Sequence, residues 1–362
     1  MSQRNVSPEE NEAIGLRKAV RMMIFLLVAF MVIYSVYYYI NTANRYQSVV
    51  AQGALLDHTR MVSHPWRRLQ ADENQWFFLN SWASWQKTDV SYHPQSLRHH
   101  DLLPDSGAVI DSIYPSRLGI YFAGVPNSSQ IDSLIRELHI RFRKHPPVAY
   151  DRFVGSPLWL SYHIEQWSYI PEVRLNPLGM KFRRTSVRSI KFMPLKEQPE
   201  GMEPPQRALR IARHEEASAL QIALKDRTRY LTLIKMSPAA TLWGSYQRAD
   251  SLLQSMSFQP PADTVAIEWP ILDFNIVDEH ILAATNGLTD SLNQYIHCKF
   301  QLTSAEMTLG RQDDYLRPSV EQNDFMFDRG FLLIGRQDSS TPPYLLAWIG
   351  HEEMLIEQPE RN

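Results

Sequence analysis

His93, His99, His100 and Asp101 form the densest set of potential metal ligands in this 362-residue chain. Imidazole and carboxylate can bind zinc, but structural zinc sites set their ligands as separated couples about two to five residues apart, and this stretch does not reproduce that pattern. It reads as a solvated histidine loop. His351-Glu352-Glu353 places carboxylates beside an imidazole, yet lacks the second histidine four positions on that a zinc-hydrolase helix needs. Glu215-Glu216 and Asp313-Asp314 are adjacent pairs, so they define no converging carboxylates for acid–base work and read as surface charge. Cys298 alternates with apolar neighbours and reads as a buried small side chain rather than a nucleophile. No glycine-rich phosphate cradle is present. The reactive residue types therefore predict no enzyme, no metal site and no cofactor.

Positioning elements must come from the rest of the chain, which is 44% hydrophobic and 21% charged, with a formal charge of −2. That charge gives no electrostatic case for nucleic acid, which calls for a concentrated basic face. Met22 to Ile40, MMIFLLVAFMVIYSVYYYI, carries no charge and approaches the roughly 20 residues that a spanning helix requires. Tyr34, Tyr37, Tyr38 and Tyr39 suit an interfacial belt at its far end, and no small-residue cleavage site follows. Arg17, Lys18 and Arg21 crowd the near side, so the positive-inside rule predicts a cytoplasmic N-terminus and an extracytoplasmic body. The first 40 residues hold four Lys/Arg and three Asp/Glu, leaving 33 against 36, or −3, outside. A lone cysteine forms no internal disulfide, so stability must come from the core. The tyrosine-rich anchor and the lack of cysteine pairs favour a bacterial inner membrane with the body facing the periplasm. The Asn127-Ser128-Ser129 sequon matters only in a host that glycosylates.

Residues 41–70 are polar and mixed, as in a partly helical juxtamembrane stalk. Trp76, Phe77, Leu79, Trp82 and Trp85 suggest a buried helix. Gly119 to Phe122 reads as a strand, and Ile131, Leu134, Ile135, Leu138 and Phe142 fall at helical spacing behind Ser129 as a cap. Leu158 to Ile164 and Phe182 to Met193 are strand candidates. Ala219 to Leu224 and Tyr230 to Met236 read as a strand pair, Trp243 to Met256 as an amphipathic helix, and Val265 to Ile276 as a strand interrupted by Pro270. A short helix is predicted over Asp278 to Ala284, ending at Gly287, then a strand over Ile296 to Leu302. Phe331 to Ile334 and Tyr344 to Ile349 are continuous apolar runs buried on both faces, joined by a turn from Asp338 to Pro343. The order is α+β, with strands that do not alternate regularly with helices.

Several of these segments resemble the serpins, the serine protease inhibitor family, over about residues 157–350. Trp269-Pro270-Ile271-Leu272-Asp273-Phe274 is similar to the family's Leu-Pro-Lys-Phe-like strand. Gly287-Leu288-Thr289-Asp290 resembles its Gly-Met-Thr-Asp-like turn, and Ile296-His297-Cys298-Lys299-Phe300 the strand that leads into its reactive loop. Asp328 to Ile334 and Ala347 to Gly350 resemble its closing pair. Upstream, Leu158 to Pro171 and Lys191-Phe192-Met193 are similar to two further elements. The N-terminal helical region is shorter than the family's.

The resemblance implies serpin-like multi-strand β-sheets with a reduced helical lobe, behind a single transmembrane helix. The expected layout is a cytoplasmic tail (1–21), an anchor in the lipid bilayer (22–40), a stalk (41–70) and an extracytoplasmic domain (71–356). It also implies a protein partner, with proteases as the candidate class. The loop would contain Gly310, Arg311, Gln312, Asp313, Arg317, Pro318 and Ser319. Arg317 could serve as a trypsin-like recognition residue, although Pro318 opposes cleavage after it. Inhibition in this family inserts the cleaved loop as a strand, burying alternate side chains. Arg311 and Asp313 are poor occupants of such a strand. The expected protein is therefore a non-inhibitory binder. An envelope assembly scaffold of unrelated α+β fold is the alternative.

Overall fold

The computed structural model describes residues 22–32, 49–52, 56–62, 65–79, 119–141, 150–167, 173–192, 208–223, 229–262, 265–282, 292–302, 325–337 and 342–358. Residues 1–47 and 48–362 are separate compact units. In the first, residues 22–32 are helical and their large apolar side chains are exposed. Among the described residues no helix is long and apolar enough to cross a membrane; residues 33–40 of the expected span lie outside them.

The second unit begins with strands β1 (Val49–Gln52), β2 (Thr59–Met61), β3 (Asn74–Phe78) and β4 (Gly119–Gly124), followed by helix α1 (Ser128–Arg141). Next come β5 (Leu158–Trp167), β6 (Val173–Phe182), β7 (Thr185–Phe192), β8 (Leu209–His214), β9 (Ala217–Ala223) and β10 (Tyr230–Lys235). Helix α2 (Leu242–Ser255) precedes β11 (Ile267–Pro270), β12 (Leu272–Leu282) and β13 (Leu292–Leu302). The chain closes with β14 (Phe325–Met326), β15 (Phe331–Arg336) and β16 (Leu345–Ile349).

These strands form three sheets: β1-β12-β13-β5-β4, β2-β3-β16-β15-β10-β9-β8, and β14-β11-β7-β6. The architecture is α+β with several sheets and few helices among the described residues. Strands β15 and β16 match the two apolar runs and pair antiparallel from Phe331↔Ile349 to Gly335↔Leu345. Every residue of β16 is buried, because neighbours cover both of its edges and both of its faces. Gly335 lies under the Tyr344 ring, which a Cβ would meet at 2.8 Å. The ring occupies the space that a side chain would need.

Two of the predicted helices form. In α1, Ile131, Leu134 and Leu138 are buried, whereas Ile135 turns outward. Its cap is Asn127 rather than Ser129: Asn127 Oδ1 accepts from Gln130 N, and Gln130 Oε1 accepts in return from Asn127 N, both at 2.9 Å. In α2, Thr241 caps the first turn by accepting from Gly244 N at 2.9 Å.

Three expectations fail. The aromatic stretch at Trp76 is strand β3, buried along its length, so successive side chains are apolar because both faces are covered; Trp82 and Trp85 lie outside the described residues. Asp278 to Leu282 extends β12 rather than forming a helix, since its backbone pairs with Leu292 to Ile296 on β13. The interruption expected at Pro270 is present, and there the chain changes sheets, at Ile271 between β11 and β12. The expected stalk contains β1 and β2, each paired into a sheet.

Asn74 is a buried junction in the seven-stranded sheet. Its Oδ1 accepts from Gly350 N and His351 N, each at 2.9 Å, while its Nδ2 donates to Thr59 Oγ1 at 3.0 Å. One amide thereby ties β2 and the chain beyond β16 to β3. Asn74→Ala would strand two backbone donors, at roughly 1–3 kcal/mol for each group that water cannot reach. The expected outcome is a lower urea midpoint with an unchanged slope.

Candidate functional site

The candidate site lies where two parallel strands meet and where the chain leaves one sheet for another. β5 and β13 pair in parallel without interruption from Asn293↔Leu158 to Leu302↔Trp167. Antiparallel partners flank them, β4 beside β5 and β12 beside β13. At the start of the seam, Asn293 donates its backbone N and its Nδ2 to Pro157 O, at 2.9 and 3.1 Å.

The middle of the seam is tightly packed. His163 on β5 is fully buried, and its ring stacks on Phe78 of the seven-stranded sheet with centroids 3.6 Å apart. Cys298 on β13 is its register partner and is also buried, as expected for a small apolar side chain. Trp76 stands edge-on to Phe274 at 4.8 Å, and Phe274 stacks with Phe300 at 5.6 Å. Aromatic contacts therefore join the seven-stranded sheet to the sheet that contains the seam.

By sequence, residues 303–324 connect the end of β13 to β14. The candidate residues Gly310, Arg311, Gln312, Asp313, Arg317, Pro318 and Ser319 all lie in that connection, outside the described residues, as do His93, His99, His100, Asp101 and the Gly287–Asp290 turn. Its far end is described. β14 has two residues, paired in parallel with Ile267 and Glu268 of β11. Phe327 N continues the ladder by donating to Glu268 O at 2.8 Å. Phe325 and Phe327 are buried, and the Phe327 ring meets Phe331 edge-on at 5.4 Å.

Lys235, at the end of β10, reaches across to this strand. Its Nζ donates to Met326 O at 2.8 Å and lies 3.8 Å from Asp328, with the lysine side chain only 10% exposed. Asp328 O in turn accepts from Arg183 N at 2.7 Å, in the β6–β7 turn where Arg183 takes a positive φ of 54°. A nearly buried ammonium thus fastens the short β14 to the seven-stranded sheet. The sequence reading missed Lys235, because a lysine closing an apolar strand looks like any solvated strand end.

The other charged candidates are structural. His351 Nδ1 accepts from Glu353 N at 3.1 Å, and the His351 ring stacks on His58 at 3.9 Å. Glu353 accepts from the backbone N of Asp57 and of His58, so this trio holds residues 351–353 against residues 57–58. Glu216 pairs with Arg248 at 2.6 Å, and that guanidinium lowers the carboxyl's pKa by hydrogen bond and by charge. Among the described residues no group of three or more His, Cys, Asp or Glu could hold a metal ion.

No family model matches the chain, and no curated protein does. Solved structures do match: native protease nexin-1 with heparin, at 12% identity over 64% of this chain and 66% of that one, with a TM-score of 0.37. The Manduca sexta serine protease inhibitor (serpin)-12 matches at 14% over 62% and 65%, TM-score 0.36, and uncleaved ovalbumin at 8% over 61% and 65%, TM-score 0.37. These relatives are serpins. The chain is similar to these serpin folds over 61–64% of its length, and it spans just under two thirds of each of the three structures.

Lys235→Met keeps the side chain's length but removes the donor to Met326 O. The loss expected in equilibrium unfolding is about 1–3 kcal/mol, the usual penalty for a buried carbonyl left without its partner. Lys235→Arg should recover part of it.

Proposed function

We propose that this protein is a single-pass membrane protein whose extracytoplasmic serpin-like domain binds a protein partner without inhibiting it by strand insertion. The observation that carries this reading is the uninterrupted parallel seam between β5 and β13, with residues 303–324 attached to the end of β13. A segment that doubled back from β13 would run antiparallel to both seam strands, so insertion would convert a parallel contact into two antiparallel ones. Parallel pairing is slightly the weaker per residue, which favours exchange. The sequence of the connection opposes it. Arg311 and Asp313 alternate in the part nearest β13, and an unpaired charge buried in a central strand costs several kcal/mol. The seam would therefore keep its ten pairs and leave the connection available for binding. A protease is the partner class that the resemblance suggests, and no residue combination described above supports catalysis by this chain.

Cleaving the full-length chain within residues 304–325 and then heating it tests the mechanism. The melting temperature should stay within a few degrees of the intact value. A rise of tens of degrees would show that the loop inserts and would overturn the non-inhibitory reading.

Support for the anchor is the uncharged Met22–Ile40 run, whose described part is a helix with exposed apolar side chains. Arg17, Lys18 and Arg21 before it favour an inside N-terminus. Protease added to spheroplasts, whose outer layer has been opened, should digest the body and spare the first residues; a body protected until the inner membrane is broken would reverse the orientation.

A further inference from the structure

Two imidazoles meet where residues 351–353 pack on residues 57–58. The His58 and His351 rings lie 3.9 Å apart and within 13° of parallel, and both residues are half-buried, so water and protons reach them. His351 is also the N-cap of the 3₁₀ turn Glu352–Met354 that follows β16: its Nδ1 accepts from Glu353 N at 3.1 Å. A backbone N–H can only donate, so this Nδ1 carries no proton. The closed arrangement needs a neutral imidazole.

The cap belongs to a wider joint. The turn it starts aims the Glu353 carboxylate at Asp57 N, at 2.7 Å, and at His58 N, at 3.1 Å. Asn74 fixes the backbone on both sides, since its N donates to His58 O at 2.7 Å and its Oδ1 accepts from His351 N at 2.9 Å. Residues 57–58 lead into β2, a strand of three residues at the edge of the seven-stranded sheet. The joint gives that strand a further attachment, beside its pairing with β3 and the Asn74–Thr59 hydrogen bond.

We propose that His351 and His58 form an acid-opened latch: a neutral His351 holds residues 351–353 against residues 57–58, and protonation of its Nδ1 parts them. Protonated, Nδ1 becomes a donor facing the Glu353 N–H, and two donors cannot stay 3.1 Å apart in that geometry. The turn then loses its cap, and the Glu353 carboxylate loses what aims it. A second proton, on His58, sets two like charges face to face in the stack. The charged groups around the pair are Asp57 and Arg60 beside His58, Glu352 and Glu353 in the turn, Asp72 and Glu73 in the segment packed against Gly350, and Arg183 in the β6–β7 turn, which acts on Glu352. Glu352 opposes release: its Oε2 lies 3.9 Å from His351 Nε2, while its Oε1 accepts from the Thr185 hydroxyl at 2.9 Å. An ion pair of that length between partly exposed groups is worth little, and it leaves the conflict at Nδ1 in place. The open state binds a proton that the closed state excludes, so the latch strengthens as pH rises and gives way as pH falls through the imidazole range, near about 6.5.

Amide hydrogen exchange on the full-length chain in detergent, at about pH 5.5 and about pH 8 and corrected for intrinsic rates, tests the latch. Protection at Asp57, His58 and Glu353 should fall several-fold at the lower pH, while Phe331 to Arg336 of β15 stay unchanged. His351→Asn keeps a cap acceptor that does not titrate, so its protection should be the same at both values, with β15 reporting that the variant folds. Glu352→Gln removes the opposing carboxylate and should keep the acid response in full. A wild type that is flat or better protected in acid, an equal response in His351→Asn, a response shared by β15, or one abolished in Glu352→Gln would each overturn the proposal.

Discussion

Parallel pairing between β5 and β13 is the constraint around which the chain is organised. Parallel neighbours cannot be joined by a tight turn and need a crossover. Here the crossover is long: residues 168–291 carry β6 to β10, α2, β11 and β12 before the chain returns as β13. Three strands of the seven-stranded sheet (β8, β9 and β10) and three of the four-stranded one (β6, β7 and β11) are thus built within a single connection. His163 stacked on Phe78, and Trp76 set edge-on to Phe274 and tilted to Phe300, hold β3 of the seven-stranded sheet against the seam. Contacts so distant in sequence form late, since loop closure must precede the pairing that rewards it.

The legible parts of the chain were those in which one face or one length settled the matter. Helices α1 and α2 showed their period, and β9, β10, β15 and β16 were short apolar runs bounded by turns. Where burial covered both faces, the pattern misled. Trp76-Phe77-Phe78 suggests a helix only because consecutive apolar residues are buried on both faces of β3. Asp278 to Leu282 has a local appearance of helix, but eleven consecutive register pairs with β13 outweigh any local preference. The change of sheet at Ile271 leaves no mark beyond Pro270, because the residues on either side of it, Ile267 to Phe274, are all buried. The candidate loop residues lie outside the described residues, so their reading still rests on sequence.

Charge inside the sheets shows the same limit from another direction. Glu268 and Lys235 each occupy one position in an apolar strand, where sequence alone suggests a tolerated surface residue. Structure buries one beside β14, its backbone O holding Phe327 N, and sets the other across a sheet boundary against the same strand. Strand β14 has only two residues of its own, so its position depends on these polar groups and on Phe325 and Phe327.

The location of β15 and β16 has a further consequence for biosynthesis. They are the last strands made, yet they fill the middle of the seven-stranded sheet, between β3 and β10. Until residues 331–349 have left the ribosome, the edges of β3 and β10 have nothing between them. Such edges recruit other chains readily, so the nascent protein depends on being held apart from its neighbours until β15 and β16 arrive. A premature stop would remove the centre of the sheet and leave its flanks unjoined.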